Sequence, residues 1–222
     1  MDATVLKVGG SLALYPEKLK ALCTELSLSS KKHRLIVVPG GGEFADVARS
    51  LDKRFSLSCG ASHRMAILGM DQYGLLLCDL IPNSVTVSKL DEIEYFLGKG
   101  KLPLLLPSNL MLGEDPLENS WDITSDSITI YLASRLNLSR VLLITDVDGI
   151  YTGDPKKHPE AKLIAQITAR ELLGLKIRTS VDKALPKLLL NSPIDCFVVN
   201  GLFPERVKAI LENKITVCTV ID

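Results

Sequence analysis

Residues 4–11, TVLKVGGS, decide the fold, because an apolar strand there runs directly into paired glycines. A lysine near the end of a buried strand supplies a point charge, and glycines let backbone N–H groups come close to anionic oxygens. The next apolar run, 35–38, is followed by the turn PGGG at 39–42 and by a predicted helix from Glu43. Two such turns predict a place where two phosphate groups meet.

The composition is that of a globular chain without a strong overall charge. Its 222 residues are 46% apolar, and 26 lysines and arginines balance 26 aspartates and glutamates. One core of ordinary size is expected, and neither nucleic acid nor a membrane surface is favoured as a partner. The five scattered cysteines form no C-x-x-C pair. Since neither a leader nor an apolar run of about 18 residues is seen, we expect reduced thiols and a cytoplasmic protein.

Short apolar runs alternate with helical periods along the chain. Strands are predicted at 4–8, 35–38, 84–87, 103–106, 140–144, 195–199 and 215–221. Helices are predicted at 16–28, 43–54, 61–79, 168–175 and 181–191, from a capping box at Ser88 and Asp91 to Gly98, and from Pro204. This alternation predicts an α/β fold, a three-layer αβα sandwich with a mostly parallel central sheet. Ligands of such sheets bind at the carboxyl ends of the strands, where both glycine turns lie.

The middle of the chain contains a predicted loop and a predicted helix start. Residues 107–120 are rich in Pro, Gly, Asn and acidic residues and are expected to form a loop over the site. Thr124 or Ser125 is then expected to cap a helix, so that Asp126 lies in its first turn. We predict a single domain, 1–222, with a phosphate-acceptor half at about 1–138 and a nucleotide-binding half at 139–222.

These motifs together resemble the amino acid kinase family, whose fold is shared by acetylglutamate, carbamate, uridylate and isopentenyl phosphate kinases. The matching stretches are KVGGS at 7–11, PGGG at 39–42, TSD at 124–126 and TDVDGIY at 145–151. Their order and spacing cover nearly the whole chain. The resemblance implies transfer of a phosphoryl group from ATP, and the short length is similar to that of the uridylate kinase branch.

A second set of motifs resembles the branch of this family that serves methanofuran biosynthesis and phosphorylates the phosphate of 5-(aminomethyl)-3-furanmethanol phosphate. The motifs are GEFA at 42–45, SH at 62–63 with MD at 70–71, NSW at 119–121, TSDS at 124–127, TSVD at 179–182, VVNG at 198–201 and PERV at 204–207. UMP or isopentenyl phosphate stays open as the acceptor, and so does a nucleotide sensor without transfer. The resemblance also implies a homo-oligomer that pairs through the helix at 61–79.

Lys7 and Asp126 are the candidate catalytic residues. Phosphoryl transfer spreads charge over the equatorial oxygens, so a protein catalyses it mainly by placing cations and N–H dipoles. Lys7 is expected to bridge the donor and acceptor phosphates while Asp126 orients it. A snorkelling lysine and a plain helix cap are the structural alternatives. Magnesium is expected to arrive with ATP, bound through phosphate oxygens and water rather than by a protein cage.

The donor site is expected to combine the first glycine turn with the acidic turn near 146. Gly9, Gly10 and Ser11 would hold the terminal phosphates of ATP. By resemblance, the adenine and ribose are lined by Thr145, Asp146, Tyr151, Asp154 and Pro155, although Asp146 and Asp148 could instead cap a turn. Many relatives carry Gly-Gly-Met and then a lysine where this chain has SVD at 180–182. Lys187 is the candidate for that lysine.

The acceptor site is expected at the second glycine turn. Gly41 and Gly42 would hold the acceptor phosphate, with Thr124 nearby and with His63 or Arg64 as a further donor. An aminomethylfuran also needs an anion for its ammonium and a flat wall for its ring. Asp71 and Trp121 are the candidates. The alternatives are a structural role for His63, a ribose contact for Asp71 and core packing for Trp121.

Overall fold

Strand β1, Thr4–Val8, lies inside an eight-stranded sheet and is covered on both faces. The computed structural model describes residues 3–153, 155, 157–175 and 177–222. Val5 belongs to the apolar core on one face of the sheet, and Leu6 and Val8 belong to the core on the other. Successive side chains of a strand point to opposite faces, so this nearly continuous apolar run is what a parallel strand between two helical layers requires. The predicted three-layer α/β fold is confirmed.

The strands are β1, β2 (Leu35–Pro39), β3 (Ser84–Val87), β4 (Leu102–Leu105), β5 (Arg140–Thr145), β6 (Ile150–Tyr151), β7 (Leu163–Ile164), β8 (Gln166–Ile167), β9 (Asp195–Asn200) and β10 (Thr219–Ile221). Their order in the main sheet is β3-β4-β2-β1-β5-β9-β10-β8. Neighbours are parallel except β9 and β10, and β6 and β7 form a separate antiparallel pair. Because β1 pairs with both β2 and β5, the residues after these three strands meet at one edge of the sheet.

The helices are α1 (Pro16–Ser29), α2 (Gly42–Phe55), α3 (Cys59–Leu80), α4 (Leu90–Gly98), α5 (Ser108–Glu114), α6 (Ser125–Arg135), α7 (Ala169–Gly174), α8 (Leu185–Leu189) and α9 (Pro204–Leu211). A short 3-10 helix, Gly10–Leu14, directly follows the first glycine turn. Helices α1 and α9 pack on one face of the sheet, and α4 to α8 pack on the other. None of the helices in the described part of the chain is both long and apolar enough to cross a membrane.

Several predicted element boundaries were wrong. The predicted loop at 107–120 contains α5, since the carboxylate of Asp71 accepts from the backbone N–H of Ser108 and stabilises a helix start there. The predicted helix at 181–191 is limited to α8, because Pro186 sets its first turn. The last strand covers only 219–221. The predicted capping box of Ser88 and Asp91 is absent from α4; instead the carboxylate of Glu92 accepts from the backbone N–H groups of Ser88 and Lys89, at 3.0 and 3.1 Å.

Candidate active site

Two cavities open where the central strands end. The first has a volume of about 390 Å³, and its lining includes Lys7, Gly9, Gly10, Ser11, Gly41, Gly42, His63, Trp121, Thr124 and Ser180. The second, of about 260 Å³, is lined by Val147, Gly149, Tyr151, Gly153, Pro155, Arg178, Thr179 and Ser180. Ser180 lines both cavities, so they adjoin at this residue. Most of the predicted acceptor residues therefore share the first cavity with Lys7, and the predicted adenine-site residues Tyr151 and Pro155 line the second.

The two glycine turns pack directly against each other, which explains why glycine is needed in both. A Cβ on Gly10 would lie 2.0 Å from the backbone nitrogen of Gly42, a distance that no side chain can tolerate. Gly42 also has a φ of 53°, in the left-handed region that favours glycine. The two turns that the sequence predicts to bind phosphate thus lie side by side, and both line the first cavity.

Lys7 and Asp126 form a buried ion pair, and Lys7 lines the first cavity. The Nζ of Lys7 lies 2.7 Å from Oδ1 of Asp126, and the two side chains are 10% and 7% exposed. Lys7 shares a face of β1 with Val5, and this face packs against α6, whose first turn contains Asp126. A buried cation without a partner would be strongly destabilising. The fold therefore brings the two predicted catalytic residues into direct contact.

The start of α6 is capped by Asp182 rather than by its own side chains. Thr124 occupies the N-cap position, but its hydroxyl donates to Asp182 at 3.0 Å instead of accepting from the helix. The same carboxylate accepts from the backbone N–H groups of Thr124 and Ser127, both at 2.9 Å. Burial and the neighbouring charge of Asp126 raise the pKa of Asp182. Thr124 therefore stands at the predicted N-cap position, but its side chain does not cap the helix. Sequence reasoning missed Asp182, although it noticed the unusual motif that contains it.

The donor side combines Ser11 with the turn after β5. The hydroxyl of Ser11 donates to Asp146 at 2.9 Å, and Thr145 donates to the same carboxylate at 3.4 Å. Asp146 thus lies against the first glycine turn and does not line the second cavity. Asp148, the other acid of this turn, accepts from Asn200 at 2.8 Å and pairs with Arg206 at 2.6 Å. The two acids therefore have separate partners: Asp146 contacts Ser11 after β1, and Asp148 contacts Asn200 at the end of β9 and Arg206 of α9.

The remaining donor-site predictions have different outcomes. Burial, together with the charge of Asp148, raises the pKa of Tyr151, which lines the second cavity. Asp154 lies outside the described residues. Lys187 is exposed on α8 and lines neither of the two cavities, because the buried face of this short helix is taken by Leu185 and Pro186. The cation in the described lining of the second cavity is Arg178, which the sequence analysis did not single out although it directly precedes the TSVD motif.

His63 and Arg64 are separated by the rotation of α3. His63 is buried in the wall of the first cavity, and burial lowers its pKa despite a hydrogen bond to the backbone of Ser120. Arg64 is exposed and does not line that cavity, since consecutive helical residues point in different directions. Arg49 of α2 lines it instead. The cation expected from Arg64 is thus available from another helix.

Asp71 and Trp121, the residues predicted for acceptor selection, are placed differently from each other. Asp71 accepts from the backbone N–H of Ser108 at 3.2 Å and also from its hydroxyl, and it lines neither cavity. Burial raises its pKa. Trp121 is part of the wall of the first cavity, and its indole N–H donates to Asp52 at 2.7 Å. The guanidinium of Arg49 lies 4.6 Å from the centre of the Trp121 ring.

Carboxylates are present in the first cavity, but on α2 rather than on α3. Glu43 and Asp46 of α2 both line it, and Asp46 pairs loosely with Arg49 at 3.2 Å. Within the described residues, no group of three or more His, Cys, Asp or Glu side chains could hold a metal ion. The site therefore offers one buried cation, glycine N–H groups, an aromatic wall and two exposed acids, a set suited to binding phosphates beside a cationic organic group.

The chain is similar to known kinases in sequence and in fold. The amino acid kinase family model matches residues 2–200. The chain is 41% identical over 219 residues to the [5-(aminomethyl)furan-3-yl]methyl phosphate kinase of Methanocaldococcus jannaschii, covering 98% of this chain and 96% of that protein. It is 29% identical over 242 residues to the uridylate kinase of Methanococcoides burtonii, with coverage of 96% and 94%. The crystal structure of uridylate kinase from Archaeoglobus fulgidus matches with a TM-score of 0.78 at 20% identity, covering 99% of this chain and 100% of that one.

Proposed function

The chain belongs to the amino acid kinase family, and from this premise we propose that it is an ATP-dependent kinase whose acceptor is the phosphate of [5-(aminomethyl)furan-3-yl]methyl phosphate. The products are the diphosphate and ADP. The observation that carries the proposal is the buried Lys7–Asp126 pair, because Lys7 lines a cavity together with two glycine turns. The relative that acts on this acceptor is matched over nearly its whole length.

The proposed reaction needs positioning more than proton transfer. An oxygen of the acceptor phosphate attacks the γ-phosphorus of ATP, the bond from that phosphorus to the bridging oxygen breaks, and ADP leaves with the electron pair. A phosphate monoester is already largely ionised near neutral pH, so no general base is required. Lys7 supplies positive charge between the two phosphates, and N–H groups of the turns at 9–11 and 41–42 supply further donors.

The two cavities are proposed to divide the substrates between them. The second cavity takes the nucleoside of ATP against Tyr151 and Pro155, with Arg178 near the phosphates. The first takes the acceptor and the terminal phosphates of ATP. Ser180, which lines both, lies where the substrates meet. Magnesium would bind between phosphate oxygens and water.

Acceptor selection is proposed to depend on α2 and Trp121. The ammonium of an aminomethyl group needs an anion, and Asp71 is occupied by Ser108 outside the cavity. Glu43 and Asp46 line the cavity and are exposed to a bound acceptor. The face of Trp121 provides a wall for the furan ring. These acids take over the role that the sequence analysis assigned to Asp71.

The test is an acceptor comparison with purified protein, ATP and magnesium. The aminomethylfuran phosphate should release ADP, and phosphorus NMR should show a diphosphate product. UMP and isopentenyl phosphate should react at least about a hundredfold more slowly in kcat/KM, the selectivity expected when charged recognition groups lose their partner. Faster turnover of UMP or isopentenyl phosphate would contradict the assigned acceptor. ATP binding without transfer to any phosphate would favour a sensor.

We also propose that the protein is a cytoplasmic homo-oligomer, since it draws on cellular ATP and carries exposed apolar side chains on two adjacent helices. Phe44 and Val47 of α2 are 38% and 58% exposed, and Leu68 and Leu75 of α3 are 46% and 57% exposed. Exposed apolar side chains on neighbouring helices are frequent at subunit interfaces. Light scattering after gel filtration should give a mass at least twice that of the chain, and a monomeric mass would contradict this proposal.

A further inference from the structure

The side chain of Asp182 connects the first turns of α6 and α8. Its Oδ2 accepts from the backbone N–H groups of Thr124 and Ser127, at 2.9 Å each. Its Oδ1 accepts from the backbone N–H of Leu185 at 2.9 Å and from the hydroxyl of Ser127. One carboxylate therefore satisfies N–H groups at the first turns of both α6 and α8, which would otherwise lack partners.

The surroundings of Asp182 require an acceptor at this position. Its described partners are backbone N–H groups and hydroxyl groups, and Ser127 is fully buried. An amide in place of the carboxylate would point an NH₂ group at one set of these donors. A buried donor left without an acceptor is destabilising, because its lost contact with water is not replaced. The site is thus built for a carboxylate.

The backbone of Asp182 contacts the catalytic pair directly. Its N–H donates to Oδ2 of Asp126 at 3.2 Å, while Oδ1 of Asp126 pairs with Lys7 at 2.7 Å. The two oxygens of Asp126 are therefore held from opposite sides. The same segment reaches the cavities, since Ser180 lines both of them and Thr179 lines the second.

We propose that Asp182 is a positioning residue for phosphoryl transfer, an inference that rests on the proposed function. By fixing the first turn of α6 with its side chain and one oxygen of Asp126 with its backbone, it sets the position of Asp126 and, through it, of the Lys7 ammonium.

The decisive experiment is a double-mutant cycle of Asp182→Asn and Asp126→Asn. D182N should lower kcat about tenfold to a hundredfold, as expected for misplacement of a catalytic group by about 1 Å, with KM for ATP changed less than about threefold. The double variant should be no slower than D126N alone by more than about twofold, because residues that act as a unit are not additive. D91N, the same change in the exposed first turn of α4, should keep wild-type kcat.

The outcomes separate this inference from the proposed function. Wild-type kcat in D182N, or additive losses in the cycle, would overturn the positioning role, whereas lack of transfer by the wild type would overturn the proposed function. Crystals of D182N test the geometry without activity: the distance from Lys7 to Asp126 should exceed hydrogen-bond range, and an unchanged distance would overturn the inference. If D182N does not fold, Ser127→Ala removes one donor, and it should lower kcat several-fold. Unchanged kcat in that variant would also overturn it.

Discussion

The starts of α5 and α6 are built in the same way and have different consequences. Each helix has a serine as its first residue. In each, a backbone N–H of the first turn donates to an aspartate from elsewhere in the chain, Asp71 for α5 and Asp182 for α6. Burial raises the pKa of both carboxylates. The first turn of α6 carries Asp126, which pairs with Lys7, whereas α5 supplies no residue to the lining of the two cavities. The capping interaction alone therefore does not show whether an aspartate affects catalysis. What matters is whether the capped turn carries a residue of the site, as the first turn of α6 carries Asp126.

Among the variants considered, removal of the Lys7 side chain is expected to lower kcat the most. Lys7→Ala should lower kcat by about a thousandfold, because the site loses the cation that neutralises the transferring phosphoryl group. ATP binding, measured by calorimetry, should persist, since the second cavity is unchanged. Lys89→Ala, at the exposed start of α4, is the matched control. A decrease in kcat of less than about tenfold would contradict a central role of the Lys7–Asp126 pair in phosphoryl transfer.

Neutralising the acids of α2 tests which carboxylates replace Asp71 at the acceptor. The double variant Glu43→Gln and Asp46→Asn should raise KM for the aminomethylfuran phosphate by up to about fivefold, because an exposed charge pair contributes about 1 kcal/mol or less. KM for an acceptor that lacks the amine should change less than about twofold. Initial rates with both acceptors measure this. Equal changes for the two acceptors would exclude an ammonium contact.

Asp71→Asn should affect stability and leave catalysis intact, in contrast to Asp182→Asn. Loss of a helix cap costs about 1 kcal/mol, which lowers Tm by about 2–4 °C in a chain of this size. The value of kcat should stay within about twofold of wild type, because α5 does not position the catalytic pair. Thermal unfolding and steady-state rates check the two parts. A tenfold fall in kcat/KM would restore Asp71 to the acceptor site.

The pH dependence of stability gives the smallest effect and tests both caps. The folded-state pKa of each aspartate is raised, so the folded protein holds more protons than the unfolded one between the ordinary and the raised pKa. The stability contributed by this uptake is present at low pH and is lost as pH rises through the raised pKa. Urea unfolding across the acidic range should show that D71N and D182N lose stability relative to wild type most at the low end. Parallel curves would contradict the raised pKa values.

The sequence predicted the elements that depend on local pattern. The apolar run of β1 and the two glycine turns predicted the sheet and the phosphate-binding edge, because strands buried on both faces and glycine turns leave clear local signals. Lys7 and Asp126 were found for the same reason: each stands at a fixed distance from a turn or a helix start. The structure places them 2.7 Å apart. Their roles remain predictions until the variants are measured.

The residues that sequence reasoning misplaced depend on partners far along the chain. Asp71 was assigned to the acceptor and faces Ser108, 37 residues away, while Asp182 was seen only as part of an unusual motif and reaches Ser127, 55 residues away. Lys187 and Arg64 lie at plausible spacings, yet the rotation of a helix by about 100° per residue points them away from the cavities. Spacing alone does not determine such directions.

By itself, then, the sequence determined the layered sheet, the paired glycine turns and the identity of the buried cation and its carboxylate. Only the tertiary structure decided which aspartate caps which helix, which cations and acids line the cavities, and that the two cavities adjoin at Ser180. The physical reason is that strand and turn formation follows from neighbouring residues. The partner of a charged side chain, in contrast, is set by which helix ends the folded sheet brings together.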